Sequence, residues 1–84
     1  MITIRLLGGA KKAVGRSSVE LDRQQSAVSD ILSYLQGVSA EQGLLVPDNL
    51  IIAINGIDSA ALEGPSTLVK SGDSVTVVTV VHGG

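Results

Sequence analysis

The first half of the chain carries the pattern of a strand hairpin. Apolar and polar residues alternate over positions 2–7, which predicts a strand with Ile2, Ile4 and Leu6 on one face. The glycine pair at positions 8 and 9 ends this strand, and the small, basic stretch at 10–16 is predicted to be a loop. Positions 17–21 alternate again, so the two strands form a predicted hairpin with a long loop.

An amphipathic helix is predicted over residues 26–37, where apolar residues recur at intervals of three and four. This apolar stripe consists of Val28, Ile31, Leu32 and Leu35. Ser26 is the predicted N-cap, and Gly37 is predicted to lie just past the last helical residue. The following segment, 38–49, contains a glycine and a proline and is predicted to be a loop with at most one short helical turn.

The second half of the chain predicts three more strands. Residues 50–54 are continuously apolar and lead into Asn55-Gly56, a pair that favours a two-residue hairpin turn because both residues tolerate positive φ. A short return strand is expected over 57–59. Residues 68–73 are predicted to be a turn, and 74–81 a strand, because β-branched residues dominate it. This last strand has low charge and no proline, so we expect it inside the sheet rather than at an edge.

Together these elements predict an α+β fold, a mixed sheet of four to five strands with one main helix packed on one face. The predicted inward residues are Ile4, Leu6, Ile52, Ile54, Val75 and Val77. The predicted outward residues are Arg5, Leu7, Ile51, Ala53, Thr76, Val78 and Val80. An exposed apolar patch on a small protein commonly marks a binding surface. We therefore predict that Leu7, Ile51, Val78 and Val80 dock a partner; the alternative is that a loop or a second copy of the chain covers them.

The amino-acid composition argues against several classes of function. Leu, Ile and Val make up 28 of 84 residues, while Phe and Trp are absent, so one small aliphatic core is expected. A net charge of −2 with a single aromatic residue argues against a nucleic-acid binder. The absence of Cys and the single His argue against thiolate catalysis and a metal site. Apolar runs are too short to span a bilayer, and no signal peptide is recognisable, so we expect a cytoplasmic protein.

The chain ends in His82-Gly83-Gly84, directly after the last predicted strand. Glycine has no Cβ, so a backbone of this kind can enter a narrow enzyme channel and approach a nucleotide closely. Four residues beyond the sheet reach about 13 Å. His82 is interpreted as a residue that a partner recognises, since no neighbour is evident that would orient it as a base.

The element order, the turn at 68–75 and the His-Gly-Gly ending resemble the ubiquitin-like β-grasp sulfur carriers. This group includes the small subunit of molybdopterin synthase, the thiamine sulfur carrier, the ubiquitin-related modifier and the small archaeal modifiers. The resemblance covers nearly the whole chain, and the histidine before the glycines is closest to the ubiquitin-related modifier branch. It implies a single β-grasp domain over residues 1–84 with a flexible C-terminal tail at about 81–84.

The resemblance also implies a function. A ubiquitin-activating-type enzyme would bind the outward face and use ATP to adenylate the carboxylate of Gly84, with His82 and Gly83 recognised as part of the tail. A sulfur donor would convert the adenylate to a thiocarboxylate, which serves tRNA thiolation or molybdopterin synthesis. Alternatively, the activated tail would be joined to lysines of target proteins. The chain would then be a carrier without a bound cofactor and not an enzyme.

A different class of function remains open on the residues alone. The chain could be a non-enzymatic protein–protein interaction module in which the terminal glycines are incidental. An extension after Gly84 separates the two hypotheses, because it would abolish activation of a carrier and leave an interaction module unaffected.

Overall fold

The computed structural model describes residues 1–40 and 45–80, and within these it contains seven strands and two α-helices. The strands are β1 (Ile2–Leu7), β2 (Ser18–Leu21), β3 (Gln25–Ala27), β4 (Leu50–Ile54), β5 (Ile57–Asp58), β6 (Leu68–Lys70) and β7 (Ser74–Thr79). The helices are α1 (Gly9–Val14) and α2 (Val28–Val38). Neither helix has the length and apolar character needed to cross a bilayer. The tail predicted over 81–84 lies outside the described residues.

Five strands form a mixed sheet in the order β2-β1-β7-β4-β5. The β-branched strand β7 is central, parallel to β1 on one side and antiparallel to β4 on the other. A strand in this position has both backbone edges paired, which removes the aggregation hazard of its low charge. The prediction that this strand lies inside the sheet is confirmed.

The core lies between the sheet and α2, and it is aliphatic as the composition predicts. The six predicted inward residues are buried, and so are Val28, Ile31 and Leu35 of α2, while Leu32 is partly buried against them. Between β4 and β5, Asn55 and Gly56 have φ of 51° and 86°, which confirms the predicted hairpin turn. The mixed sheet with its main helix on one face is therefore as predicted.

The predicted boundaries of α2 were wrong at both ends. Ser26 belongs to β3, and Ala27 precedes the helix with an extended backbone. The amide of Val28, the first residue of the helix, donates to the carbonyl of Thr67 at 2.9 Å. A backbone carbonyl from a neighbouring segment therefore replaces a side-chain cap at this end of the helix. At the other end the helix runs through Gly37 to Val38.

The β3–β6 pair is a second, two-stranded sheet that the sequence analysis missed. Ser26 pairs with Val69 across it, and β6 occupies part of the segment predicted to be a turn. Each strand has only three residues, which is too short to show an alternating pattern. Their pairing depends on the fold that brings them together.

Residues 10–16 were predicted to be a loop, but most of them belong to α1. Ala10 and Ala13 are buried, and Gly15 ends the helix with φ 83° while its amide donates to the Lys11 carbonyl at 2.8 Å. A helix of six residues is too short to show a periodic apolar stripe in the sequence. Its formation depends on the tertiary packing of its two buried alanines. In the segment 38–49, one 3-10 turn at Pro47–Asn49 agrees with the prediction, and residues 41–44 lie outside the described part.

Candidate docking face and tail root

The face of the sheet opposite α2 carries a row of apolar side chains at one end. Strand register places Leu7 of β1, Val78 of β7 and Ile51 of β4 side by side. Leu7 and Ile51 are 49% and 38% exposed, and Val78 is half-buried. Val80 follows two residues further on and is also half-buried. We call these four residues the outer patch; the structure brings the first three together, and their docking of a partner stays a prediction.

The rest of the outer face is more polar. The next row along the strands contains Arg5, Thr76 and Ala53, and the row after it pairs Thr3 with Ser74. Because β7 runs from Ser74 to Thr79, the apolar row lies at the end of the sheet from which the chain continues toward residue 84. A protein that binds the outer patch would therefore also lie beside Thr79 and Val80.

The last two described residues, Thr79 and Val80, form what we call the tail root. The hydroxyl oxygen of Thr79 accepts a hydrogen bond from the amide of Gly9 at 2.9 Å. The amide of Val80 donates to the carbonyl of Asn49 at 2.7 Å. The tail root is thus bonded on both sides of β7, because Gly9 follows β1 and Asn49 precedes β4.

The predicted tail residues His82, Gly83 and Gly84 lie outside the described residues, so their roles stay predictions. Sequence reasoning missed Gly9, Asn49 and Thr79 as contributors to this region. The glycine pair at positions 8 and 9 is the signal in the sequence for this region, although it predicts only the end of a strand.

Charge is distributed unevenly around the tail root. Lys11 and Lys12 are exposed on α1, which begins at Gly9, and Asp48 is exposed in the 3-10 turn on the other side. At the opposite end of β7, Asp73 has a pKa below its ordinary value, because its carboxylate accepts hydrogen bonds from the Lys70 amide and the Asn55 side chain. This carboxylate stabilises a turn far from the tail root.

No cluster of three or more potential metal ligands exists among residues 1–40 and 45–80. A cleft of about 400 Å³ lies between α2 and β4, and its walls include Leu32, Leu50 and Pro65. Asp58 also lines it, but its carboxylate accepts a hydrogen bond from the Ala60 amide at 2.9 Å and so caps a 3-10 turn. The cleft is apolar and shows no constellation typical of catalysis.

Comparison with known proteins identifies the family. The ThiS family profile matches residues 4–84, which is nearly the entire chain. This chain belongs to the ThiS family. The ThiS family is part of the ubiquitin-like sulfur carrier and modifier group, so the resemblance noted in the sequence is confirmed. The preference for the ubiquitin-related modifier branch, which depends on His82, stays a prediction.

Solved structures show the fold of this ThiS-family chain. SAMP1, the small archaeal modifier protein 1 from Methanosarcina acetivorans, has a TM-score of 0.81 and 23% identity over 99% of this chain and 95% of its own. A chain of the Amycolatopsis orientalis BexX/CysO complex has a TM-score of 0.74 and 22% identity over 100% of both chains. Urm1 from Trypanosoma brucei has a TM-score of 0.72 and 19% identity over 99% of this chain and 94% of its own. The fold is therefore the predicted β-grasp. Among curated proteins, none matches.

Proposed function

We propose that this chain is a sulfur carrier that works through the carboxylate of Gly84. The observation that carries the proposal is the ThiS-family match, which extends through residue 84 and so includes the two glycines. The position of the outer patch supports it, because the patch lies at the end of the sheet from which the tail continues. The lack of Cys in the sequence is consistent with a sulfur carried on the terminal carboxyl group.

The proposed chemistry has two steps, both carried out by partner enzymes. In the first, a carboxylate oxygen of Gly84 attacks the α-phosphorus of ATP and expels pyrophosphate, which leaves an acyl-adenylate. In the second, sulfur at the oxidation level of sulfide attacks the acyl carbon and expels AMP, which leaves a thiocarboxylate. The carrier supplies the substrate group, and the ubiquitin-activating-type enzyme supplies the nucleotide and the catalytic residues.

Glycine at the last two positions suits this chemistry. A side chain on Gly83 or Gly84 would lie beside the reacting carbonyl and keep the backbone away from the nucleotide. We therefore propose that Gly83 and His82 are recognised by the enzyme as the tail enters its channel. The sulfur acceptor would be a tRNA base or a molybdopterin precursor.

Intact-protein mass spectrometry tests the proposal. The chain is incubated with an activating enzyme, ATP and a sulfur donor, and fragmentation locates any modification. A mass gain equal to oxygen replaced by sulfur on the terminal fragment is expected for the native chain. A variant extended by two residues after Gly84 is expected to remain unmodified at the same melting temperature. Sulfur transfer to the extended variant would refute the proposal, and Gly84 linked to lysines of other proteins would indicate a protein modifier instead.

The outer patch has its own test. Val78→Asp is expected to weaken binding to the activating enzyme at least tenfold while the melting temperature falls by less than about 5 °C, because this side chain is on the outer face and only half-buried. Ser18→Asp, which introduces the same charge at an exposed position two strands away, is the matched control. Equal binding by both variants would show that the patch is not the docking face.

A further inference from the structure

We propose that Gly9 and Thr79 form a clamp that sets the direction in which the chain leaves the sheet toward Gly84. The inference rests on the proposed function for its purpose, which is delivery of the tail to an enzyme. It goes further by assigning positioning roles to two residues that lie outside the glycine tail. The evidence is the geometry of the tail root.

Thr79 is the last residue of β7, and its side chain is bonded to a different element. Its Oγ1 accepts from the amide of Gly9 at 2.9 Å, across 70 positions of sequence. The next residue, Val80, donates its amide to Asn49 at 2.7 Å on the other side of β7. Two bonds from opposite sides fix two consecutive residues where the tail begins, so the chain has a defined direction at this point.

Glycine is required at position 9 because a side chain would collide with Thr79, and not because of the backbone conformation. A Cβ built at Gly9 would lie 2.6 Å from Oγ1 of Thr79 and 3.3 Å from its Cβ and Cγ2. Real Cβ atoms do not approach an oxygen this closely, and the φ of Gly9 is not among the positive values. Gly37 provides the contrast, because a Cβ there would meet nothing within 4 Å. The close approach of α1 to Thr79 therefore explains why position 9 has no side chain.

The donor side of the clamp is held in place by the far end of α1. The carbonyl of Ala13 accepts from the amide of Ala40 at 3.0 Å and from the hydroxyl of Ser39 at 3.1 Å. The C-terminal end of α1 is thereby tied to the end of α2, while its N-terminal end bonds Thr79. The short helix acts as a brace between the main helix and the tail root.

The clamp connects the proposed docking surface to the proposed reacting group. Val78 of the outer patch directly precedes Thr79, so an enzyme bound to the patch finds the tail starting at a fixed position and angle. Ordering one backbone residue makes an equilibrium about 5- to 30-fold less favourable. A carrier whose tail root is ordered in advance avoids that cost when the tail enters the active site of an enzyme that is already docked.

Four variants test the clamp in the full-length chain. Thr79→Val keeps the shape and removes the accepting oxygen, while Thr79→Ser keeps the oxygen. Gly9→Ala introduces the colliding Cβ, and Gly37→Ala is the matched control. For each variant we would measure amide order parameters at Thr79 and Val80 by NMR, the Kd for an activating enzyme without ATP, and kcat/KM in ATP–pyrophosphate exchange.

We expect Thr79→Val and Gly9→Ala to lower the order parameters at the tail root. We expect the same two variants to reduce kcat/KM about 5- to 30-fold while Kd changes less than about twofold. Thr79→Ser and Gly37→Ala are expected to behave as the unsubstituted chain. This pattern would not arise from general destabilisation, because docking through the outer patch would then weaken together with kcat/KM.

Three results would overturn the clamp. Unchanged order parameters in Thr79→Val and Gly9→Ala would show that the bond does not order the tail root. Reduced order with unchanged kcat/KM would show that the order has no role in delivery. Failure of Thr79→Ser to restore either quantity would exclude the hydroxyl oxygen as the cause. If the unsubstituted chain itself gave no exchange, the proposed function would fail, and the order parameters alone would decide whether the clamp exists.

Discussion

The carboxylate of Asp73 offers a sharp test of how the turn before β7 is stabilised. Its Oδ2 accepts from the backbone amide of Lys70 at 2.8 Å, and its Oδ1 accepts from Nδ2 of Asn55 at 3.2 Å. The Asn55 side-chain oxygen in turn accepts from the amide of Ser74 at 3.0 Å. The carboxylate therefore links the β4–β5 turn to the β6–β7 turn. Asp73→Ala removes this link and leaves the bond between Asn55 and Ser74 in place.

The size of the effect follows from the two lost hydrogen bonds. Exposed bonds of this kind contribute about 0.5–1 kcal/mol each, so the free energy of unfolding should fall by about 1–2 kcal/mol. For a chain of this length that loss lowers the melting temperature by about 4–16 °C. Asp22→Ala is the matched control, because Asp22 is exposed and makes no hydrogen bond within the described residues.

The effect should also depend on pH in one direction. The pKa of Asp73 in the folded chain is below its ordinary value of 3.8, chiefly because the Lys70 amide donates to the carboxylate. A lowered pKa means that the folded state favours the ionised form. The stabilisation is therefore complete above the unfolded pKa and is lost as the pH falls from 3.8 through the folded pKa.

The free energy of unfolding can be measured in urea from about pH 6 to about pH 2. The measurement is made on the unsubstituted chain and on both variants. The difference between the unsubstituted chain and Asp73→Ala should be constant at the upper end and shrink at the lower end. A difference that stays constant over the whole range would refute the electrostatic part of the reasoning. A loss no larger than that of Asp22→Ala would refute the hydrogen-bonding part as well.

Substitutions at three further positions test the packing and the backbone. Gly37→Ala should raise the free energy of unfolding by about 0.5–1 kcal/mol in a thermal melt, because Gly37 is inside α2 with open space around it; a lower melting temperature would contradict this. Leu35→Ala should cost about 2–5 kcal/mol in chemical denaturation, because this side chain is fully buried, and a loss below about 1 kcal/mol would show that α2 packs differently. Asn55→Gly should cost about 1–2 kcal/mol through its two lost side-chain hydrogen bonds, and Asn55→Ala about 1–2 kcal/mol more because the residue has φ 51°; equal losses in chemical denaturation would mean that the backbone conformation adds nothing.

Much of the main sheet could be predicted because its signals are local. The alternation at Ile2–Leu7 and the β-branched run at Ser74–Thr79 specify strands within a few residues, and Asn55-Gly56 specifies its own turn. The split between the inward and outward faces follows from the period of two, so the residues of the outer patch could be named from the sequence. The terminal glycines drew attention to Gly84 without any knowledge of the fold.

Tertiary structure alone decided the short elements and the contacts around the tail root. The helix α1 has six residues and β3 and β6 have three each, too few for a periodic pattern to distinguish one conformation from another. The bond from Gly9 to Thr79 joins residues 70 positions apart, and the glycine pair at positions 8 and 9 does not indicate which residue it contacts. Such contacts exist only after long-range pairing of β1 with β7 has brought the two segments together, which is why the sequence determines the strands and the fold determines how the tail begins.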